Sequence, residues 1–153
     1  MQKIPWMSKH EIDLLNSYIA TKGKSSDMLE YGCGGSTLYF SQFVNTYTSI
    51  EHDSEWFKKV YPHVSENTTL LLRDKNTDEY YNFLCTGKNY DYILIDGRNR
   101  VRTAEVMLDY ISCNSYVFLH DYFNRPQYHA VRKWYKEIAG VFDGQSVVVL
   151  QKK

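Results

Sequence analysis

Cysteine is scarce: Cys33, Cys85 and Cys113 are the only three in 153 residues. Their odd number and wide spacing make neither a disulfide framework nor a zinc-ligand pattern, and they fit a reducing, cytoplasmic setting. Net charge is missing too. Lys and Arg number 18, and Asp and Glu number 18, so no global basic field recruits nucleic acid. No apolar run approaches the roughly 20 residues that cross a bilayer, and the N-terminus has no signal-peptide core, so no membrane partner is expected. Internal repeats, low-complexity tracts and linkers are absent. What remains is a chain with 43% hydrophobic residues, enough for a packed core. Its length suits one domain over 1–153, with 1–26 as an N-terminal helical segment and 27–153 as the core.

The most informative stretch is Met28-Leu29-Glu30-Tyr31-Gly32-Cys33-Gly34-Gly35-Ser36-Thr37. It reads as a short apolar strand, a glycine-rich turn and a helix start. The glycines let the backbone turn sharply and come close to a ligand. Ser36 or Thr37 can cap the helix, whose free N–H groups point back at that ligand. The turn after the first strand of an α/β sheet is where nucleotide-like cofactors sit. The dinucleotide fingerprint G-x-G-x-x-G is incomplete, because Thr37 stands at its third glycine. A nicotinamide dehydrogenase is thereby disfavoured, and little chain remains for its substrate domain.

Ser8-x-x-Glu11 forms a capping box for a helix with Ile12, Leu15 and Ile19 on one side, and Gly23 offers a stop. After the glycine turn, 38–44 should be helix and 47–51 a second strand. Its last residue, Glu51, lies about 20 residues past the first glycine, where a carboxylate meets ribose hydroxyls. Two carboxylate oxygens can accept from two hydroxyls. Asp53 or Ser54 can cap a helix holding Trp56 and Val60. A third strand, 68–72, has Asp74 close behind it, and Thr77 can cap a helix through Tyr80, Tyr81 and Leu84. The clearest strand is 90–96, with the unbroken apolar middle of a buried parallel strand, ending at Asp96-Gly97. Val101, Ala104, Leu108 and Ile111 then recur at helical spacing. A fifth strand, 115–119, ends in His120-Asp121. Pro126 fits a first helical position. Tyr128, Val131, Tyr135 and Ile138 predict a last helix stopping at Gly140, before a hairpin over 141–150 that turns at Asp143-Gly144.

Taken together, these residues resemble the class I, Rossmann-like S-adenosylmethionine (SAM) dependent methyltransferases. The likeness rests on Glu30-x-Gly32-x-Gly34-Gly35-Ser36, Glu51, Asp96-Gly97, His120-Asp121 and the closing hairpin. The stretches Ile95-Asp96-Gly97-Arg98-Asn99-Arg100-Val101 and His120-Asp121-Tyr122-Phe123-Asn124-Arg125-Pro126 are similar to a small branch of that superfamily. The resemblance implies an α/β fold: a doubly wound sheet of about seven strands in the order 3-2-1-4-5-7-6, with an antiparallel C-terminal hairpin. It implies SAM as cofactor, with Glu30, Gly32, Gly34 and Ser36 around its methionine end, His52 along the adenine and Asp74 facing the adenine amino group. Asp96 would lie on the same edge as Glu51.

Methyl transfer from a sulfonium is an in-line displacement. The protein aligns donor and acceptor and, for a hydroxyl, removes a proton. Two mechanisms fit. In one, His120 is the general base, since its ordinary pKa of about 6.5 suits proton uptake near neutrality, and Asp121 or Asp96 orients it. In the other, Asp96 and Asp121 hold a divalent cation such as Mg²⁺, at positions similar to the metal aspartates of catechol-type O-methyltransferases. That family follows its second aspartate with asparagine, where Tyr122 stands here, which favours His120. Arg98, Arg100, Arg102 and Arg125 gather on the acceptor side of a neutral chain, and arginine forks suit carboxylate and phosphate. Arg98 and Arg125 therefore mark an anionic or heavily hydroxylated acceptor, such as a sugar acid, sugar phosphate or glycan. Internal pairing with Asp96, Glu105 or Asp109 is the alternative use of these arginines. The Asn/Asp-Pro-Pro-aromatic motif of nucleic-acid amino-methyltransferases does not follow the fourth strand. The expected reaction is O-methylation of a small acceptor. The alternative is a degenerate methyltransferase fold serving as a SAM-binding or scaffold module. A second copy of the chain, in a homo-oligomer, could complete a small open acceptor site.

Overall fold

The computed structural model describes residues 1–82 and 88–153. Five strands run parallel: β1 (Asp27–Tyr31), β2 (Thr46–Glu51), β3 (Thr68–Leu72), β4 (Tyr92–Ile95) and β5 (Tyr116–His120). An antiparallel hairpin, β6 (Tyr135–Asp143) and β7 (Gln145–Lys152), closes the sheet against β5. The order is β3-β2-β1-β4-β5-β7-β6, as expected. The order reverses between β1 and β4, the crevice where ligands settle in open α/β sheets.

The strand sequences explain why both faces are covered. In β4, Ile93 and Ile95 enter one apolar layer, while Tyr92 and Leu94 enter the other. All four are fully buried, and burial of each large aliphatic side chain contributes about 1.5–3 kcal/mol. One layer is covered by α4 (Glu79–Asn82), α5 (Arg100–Val106) and a 3₁₀ segment (Pro126–Lys133), through Tyr80, Tyr81, Ala104 and Val131. The other is covered by α1 (Lys9–Ile19) and α2 (Gly35–Phe40), through Leu15, Ile19 and Phe40. The remaining helix is α3 (Ser54–Val60), capped by Asp53, whose Oδ1 accepts from the Glu55 and Trp56 amides at 2.9 and 3.0 Å. Among the described residues no helix is long and apolar enough to cross a membrane.

The expected capping box is present. Ser8 Oγ accepts from the Glu11 amide at 3.2 Å, and Glu11 Oε2 accepts from the Ser8 amide at 2.7 Å. Four local expectations are corrected. The first helix ends on Ala20, and Gly23 instead opens a 3₁₀ turn at φ +52°. Gly34 holds the N-cap position of α2; Thr37 supports it from the first turn, its hydroxyl accepting from the Gly34 amide at 3.0 Å while donating to Glu30, whereas the Ser36 hydroxyl donates to Glu30. Thr77 donates its hydroxyl to the Asp74 carbonyl and so is turned away from a capping role; Leu84 lies outside the described residues. The largest correction is the last helix. Tyr128 and Val131 sit in the 3₁₀ segment, but Tyr135 and Ile138 already belong to β6, where Tyr135 pairs with Lys152. Pairing with β7 overrides the helical spacing. Gly140 is therefore no helix stop: a Cβ there would lie 2.6 Å from the Phe123 ring, so the missing side chain lets that ring pack on the strand.

Candidate functional site

The C-terminal ends of β1, β2 and β4 open into a cavity of about 700 Å³, within the range of about 300–1,000 Å³ usual for small-molecule sites. Its floor is the glycine turn. Gly32 has φ +93°, and a Cβ there would stand 2.9 Å from the Asp96 carbonyl oxygen. Only glycine allows this conformation so close to the end of β4. Across the turn lies an N-terminal strap: a Cβ on Gly35 would collide with the Ile4 carbonyl oxygen. Met1, Ile4 and Trp6 of this strap line the cavity, and Trp6 is 92% exposed. A second concavity of about 610 Å³, near Leu38, Gln42 and Asn67, contains none of the predicted site residues.

Glu30 lies beneath the turn, fully buried and away from the cavity lining. It accepts from the hydroxyls of Ser36, Thr37 (2.6 Å) and Ser49 (3.0 Å). Burial pushes its pKa up to about 7, although those hydroxyls pull it down; the charge of Asp96 adds to the rise. Glu30 thus ties the turn to the sheet. Gly32, Gly34 and Ser36 line the cavity above it.

Glu51 reaches the cavity from the end of β2. Its Oε1 accepts from the His52 and Asp53 amides, both at 2.9 Å, and its Oε2 from the Cys33 amide at 3.0 Å. Each carboxylate oxygen has two lone pairs, so Oε2, with one backbone amide on it, can accept one donor more. His52 lines the cavity with Nδ1 3.2 Å from Glu51 Oε1. Trp56 was not foreseen as a site residue. Its indole N–H donates to the Cys33 carbonyl at 2.6 Å, and its half-exposed ring lies 3.5 Å from where a Gly34 Cβ would be. Asp74 is exposed and outside the cavity lining, with Oδ1 accepting from the Asn76 amide at 2.9 Å.

At the ends of β4 and β5 the structure brings Asp96, His120 and Asp121 together. Asp96 Oδ1 is 3.1 Å from His120 Nδ1, and Asp121 Oδ2 is 3.6 Å from the same nitrogen. Two unforeseen residues complete the cluster. Glu11, fully buried in α1, brings Oε1 to 3.1 Å from His120 Nε2, without hydrogen-bond alignment. Arg100 places Nη2 3.2 Å from Asp96 Oδ1 and Nη1 3.1 Å from Asp121 Oδ2. It also donates to the Gly97 and His120 carbonyls at 3.0 and 2.8 Å. Burial works against a charge on His120, but the hydrogen bond it donates to Asp96 and the charges of Asp96, Asp121 and Glu11 outweigh it and raise its pKa. His120 is 5% exposed and outside the cavity lining, whereas Asp96 lines it. Asp96 Oδ2 accepts from no donor among the described residues.

Asp96, His120 and Asp121 are close enough in space to share a divalent ion. The guanidinium of Arg100 already faces the carboxylate oxygens such an ion would need. Unit charges 4 Å apart interact by about 4 kcal/mol at an effective dielectric of 20, so Arg100 would cancel about half of the attraction that the two carboxylates offer a divalent ion, and it already takes the Asp96 Oδ1 and Asp121 Oδ2 positions. The residues present do not fit Mg²⁺. Of the other arginines, Arg98 lines the cavity and is exposed, Arg125 is exposed outside it, and Arg102 pairs with Glu105 at 3.1 Å. Neither the Arg98 nor the Arg125 guanidinium has an ion-pair partner among the described residues.

No protein-family model and no curated protein sequence matches the chain. Solved structures do. A methyltransferase-like protein from Silicibacter pomeroyi aligns at 20% identity and a TM-score of 0.70, over 99% of this chain and 90% of that one. The N-methyltransferase NodS from Bradyrhizobium japonicum, solved with S-adenosyl-L-homocysteine, aligns at 10% identity and a TM-score of 0.71, over 97% and 88%. The tRNA (m1A58) methyltransferase TrmI from Aquifex aeolicus reaches a TM-score of 0.76 at 11% identity, over 100% and 72%. With its strand order, its glycine turn and these neighbours, the chain has the class I, Rossmann-like methyltransferase fold.

Proposed function

We propose that the protein is a SAM-dependent methyltransferase acting on the oxygen of a small hydroxylated or anionic acceptor, such as a sugar or glycan. The observation that carries this reading is Glu51: a carboxylate at the end of β2, with an oxygen still able to accept, beside a glycine turn and a cavity of nucleoside size. The free thiols Cys33 and Cys113 suit a cytoplasmic setting.

When bound, SAM supplies an activated methyl group on a sulfonium. Glu51 would hold the ribose hydroxyls, the turn from Gly32 to Ser36 the methionine end, and His52 with Trp56 the adenine edge. Asp96 faces the cavity, so an acceptor hydroxyl meets its carboxylate first. The hydroxyl proton would pass to Asp96 Oδ2, the oxygen left free, as the methyl group leaves the sulfonium, while His120 and Arg100 hold the carboxylate by Oδ1. Asp74, exposed on its loop, would reach the adenine only if that loop closes.

Calorimetric titration with SAM and S-adenosylhomocysteine, with NAD as control, is the direct test. Micromolar binding of the first two supports the reading. Absence of binding in folded protein removes it and leaves the scaffold alternative. Binding without turnover of a hydroxylated acceptor panel would leave a non-catalytic SAM-binding module.

Arg98 is expected to select the acceptor's charge, because its exposed guanidinium lines the cavity without an internal partner. Arg98→Ala should raise KM for an anionic acceptor about tenfold, the worth of one charge-assisted hydrogen bond, with little change in SAM affinity. An unchanged KM would discard the anionic acceptor.

A further inference from the structure

We propose that Arg100 is the resident cation of the Asp96–His120–Asp121 cluster: it stands where a divalent metal would otherwise bind, and removing it would open a metal site. The ligand set is otherwise complete. An imidazole nitrogen and two carboxylate oxygens from the ends of β4 and β5 come within 4.8 Å of one another, a donor set that suits a first-row divalent ion. The guanidinium holds Asp96 Oδ1 at 3.2 Å and Asp121 Oδ2 at 3.1 Å, and its side chain is only 12% exposed.

Arg100 is not a casual surface pair. Its Nε and Nη1 are anchored on the Gly97 carbonyl, two residues past β4, and on the carbonyl of His120, the last residue of β5. The Tyr128 ring lies 5.5 Å from the guanidinium carbon on another side. Fixed by backbone oxygens and an aromatic face, the guanidinium cannot swing away to admit an ion as a free surface arginine could. It therefore fixes both aspartates without a metal, and acts as a positioning residue. This inference stands apart from methyl transfer, since metal uptake is measured without turnover.

The test is Mn²⁺ uptake by the intact protein at about pH 8, where a histidine ligand can shed its proton, followed by calorimetry and by loss of the free-ion electron paramagnetic resonance signal. The unaltered protein should take up no Mn²⁺ below about 1 mM, the weak limit of oxygen-rich sites. Arg100→Ala should bind one ion at least about tenfold tighter than that limit. Asp96→Asn in that background should abolish the gain, and Arg100→Lys, which keeps a cation, should show none. Should Arg100→Ala fail to fold, the neutral and similarly long Arg100→Gln carries the same expectation. Uptake by the unaltered protein that Asp96→Asn removes would overturn the inference. So would a folded neutral variant at position 100 that takes up no metal.

Discussion

Replacing Glu51 by alanine should weaken SAM and S-adenosylhomocysteine binding about 100-fold or more, with both ligands losing equally. A hydrogen bond to a charged acceptor is worth about 1.5–3 kcal/mol, so losing the bonds to a ribose diol corresponds to two to three decades in Kd, or about 3–4 kcal/mol. Glu51 also carries the Cys33, His52 and Asp53 amides, so the alanine variant loosens the turn as well as losing a ligand contact. Glu51→Gln separates the two effects. Its carbonyl oxygen can keep one side of the amide set, while its NH₂ group faces amide donors on the other. It should bind about tenfold more weakly than the unaltered protein. Calorimetry on both variants, beside their melting temperatures, checks this. If folded Glu51→Ala binds S-adenosylhomocysteine within about threefold of the original, the ribose is not held at β2 and the cofactor reading fails.

The sheet was legible because its central strand is apolar on both faces. Residues 92–95 alternate between two covered layers, and such a run has no home but the middle of a parallel sheet. The glycine turn was legible for steric reasons: the close approach of Gly32 to the Asp96 carbonyl excludes any side chain. The partners of Glu30 were half legible. Ser36 and Thr37 are neighbours in the chain, but Ser49 comes from across β2, where the strand register sets it directly opposite Glu30.

The rest of the site was hidden by residues with two uses. Glu11 fully satisfies a capping box through one carboxylate oxygen, so nothing in its local sequence announced that the other oxygen faces His120. Arg100 was one of a run of arginines. Its four-residue spacing from Asp96 was a usable signal, because Asp96 directly follows a strand and Arg100 begins the helix that comes next. Gly140 looked like a helix stop because the chemistry of a missing Cβ is the same in both settings; only the Phe123 ring, brought back by the loop after β5, distinguishes them. Trp6 and Ile4 had no local pattern at all, since they meet the cavity by crossing the glycine turn and not by belonging to an element.

Stability should fall as pH rises from about 4.5 to about 8, against the usual plateau in that range, and Glu30→Gln should flatten the lower part of the fall. Glu30 has its pKa raised from an ordinary 4.5 to about 7. A group with a raised folded-state pKa binds its proton more tightly in the native state. Its contribution is therefore complete below the unfolded value and disappears as pH climbs through the folded one. The shift of Glu30 corresponds to roughly 3 kcal/mol across that window. His120 acts with the same sign from about 6.5 upward, since its pKa is raised too. Glu137 is shifted the other way, held down against its burial by hydrogen bonds from Tyr122 and Arg132. Its stabilisation is lost only as pH falls below the ordinary carboxylate range, so it does not mask the effect. Urea midpoints at several pH values between about 5 and 8 measure the slope directly. In Glu30→Gln the amide oxygen can replace Oε2 as acceptor for Thr37 and Ser49, and the Ser36 hydroxyl can turn to accept from the NH₂ group that replaces Oε1, while the titration disappears, so the variant should lose the slope between about pH 5 and 7 and keep the part due to His120. If the variant shows the same slope as the original, Glu30 is ionised throughout, and the turn is held by a buried carboxylate that its three hydroxyls stabilise fully.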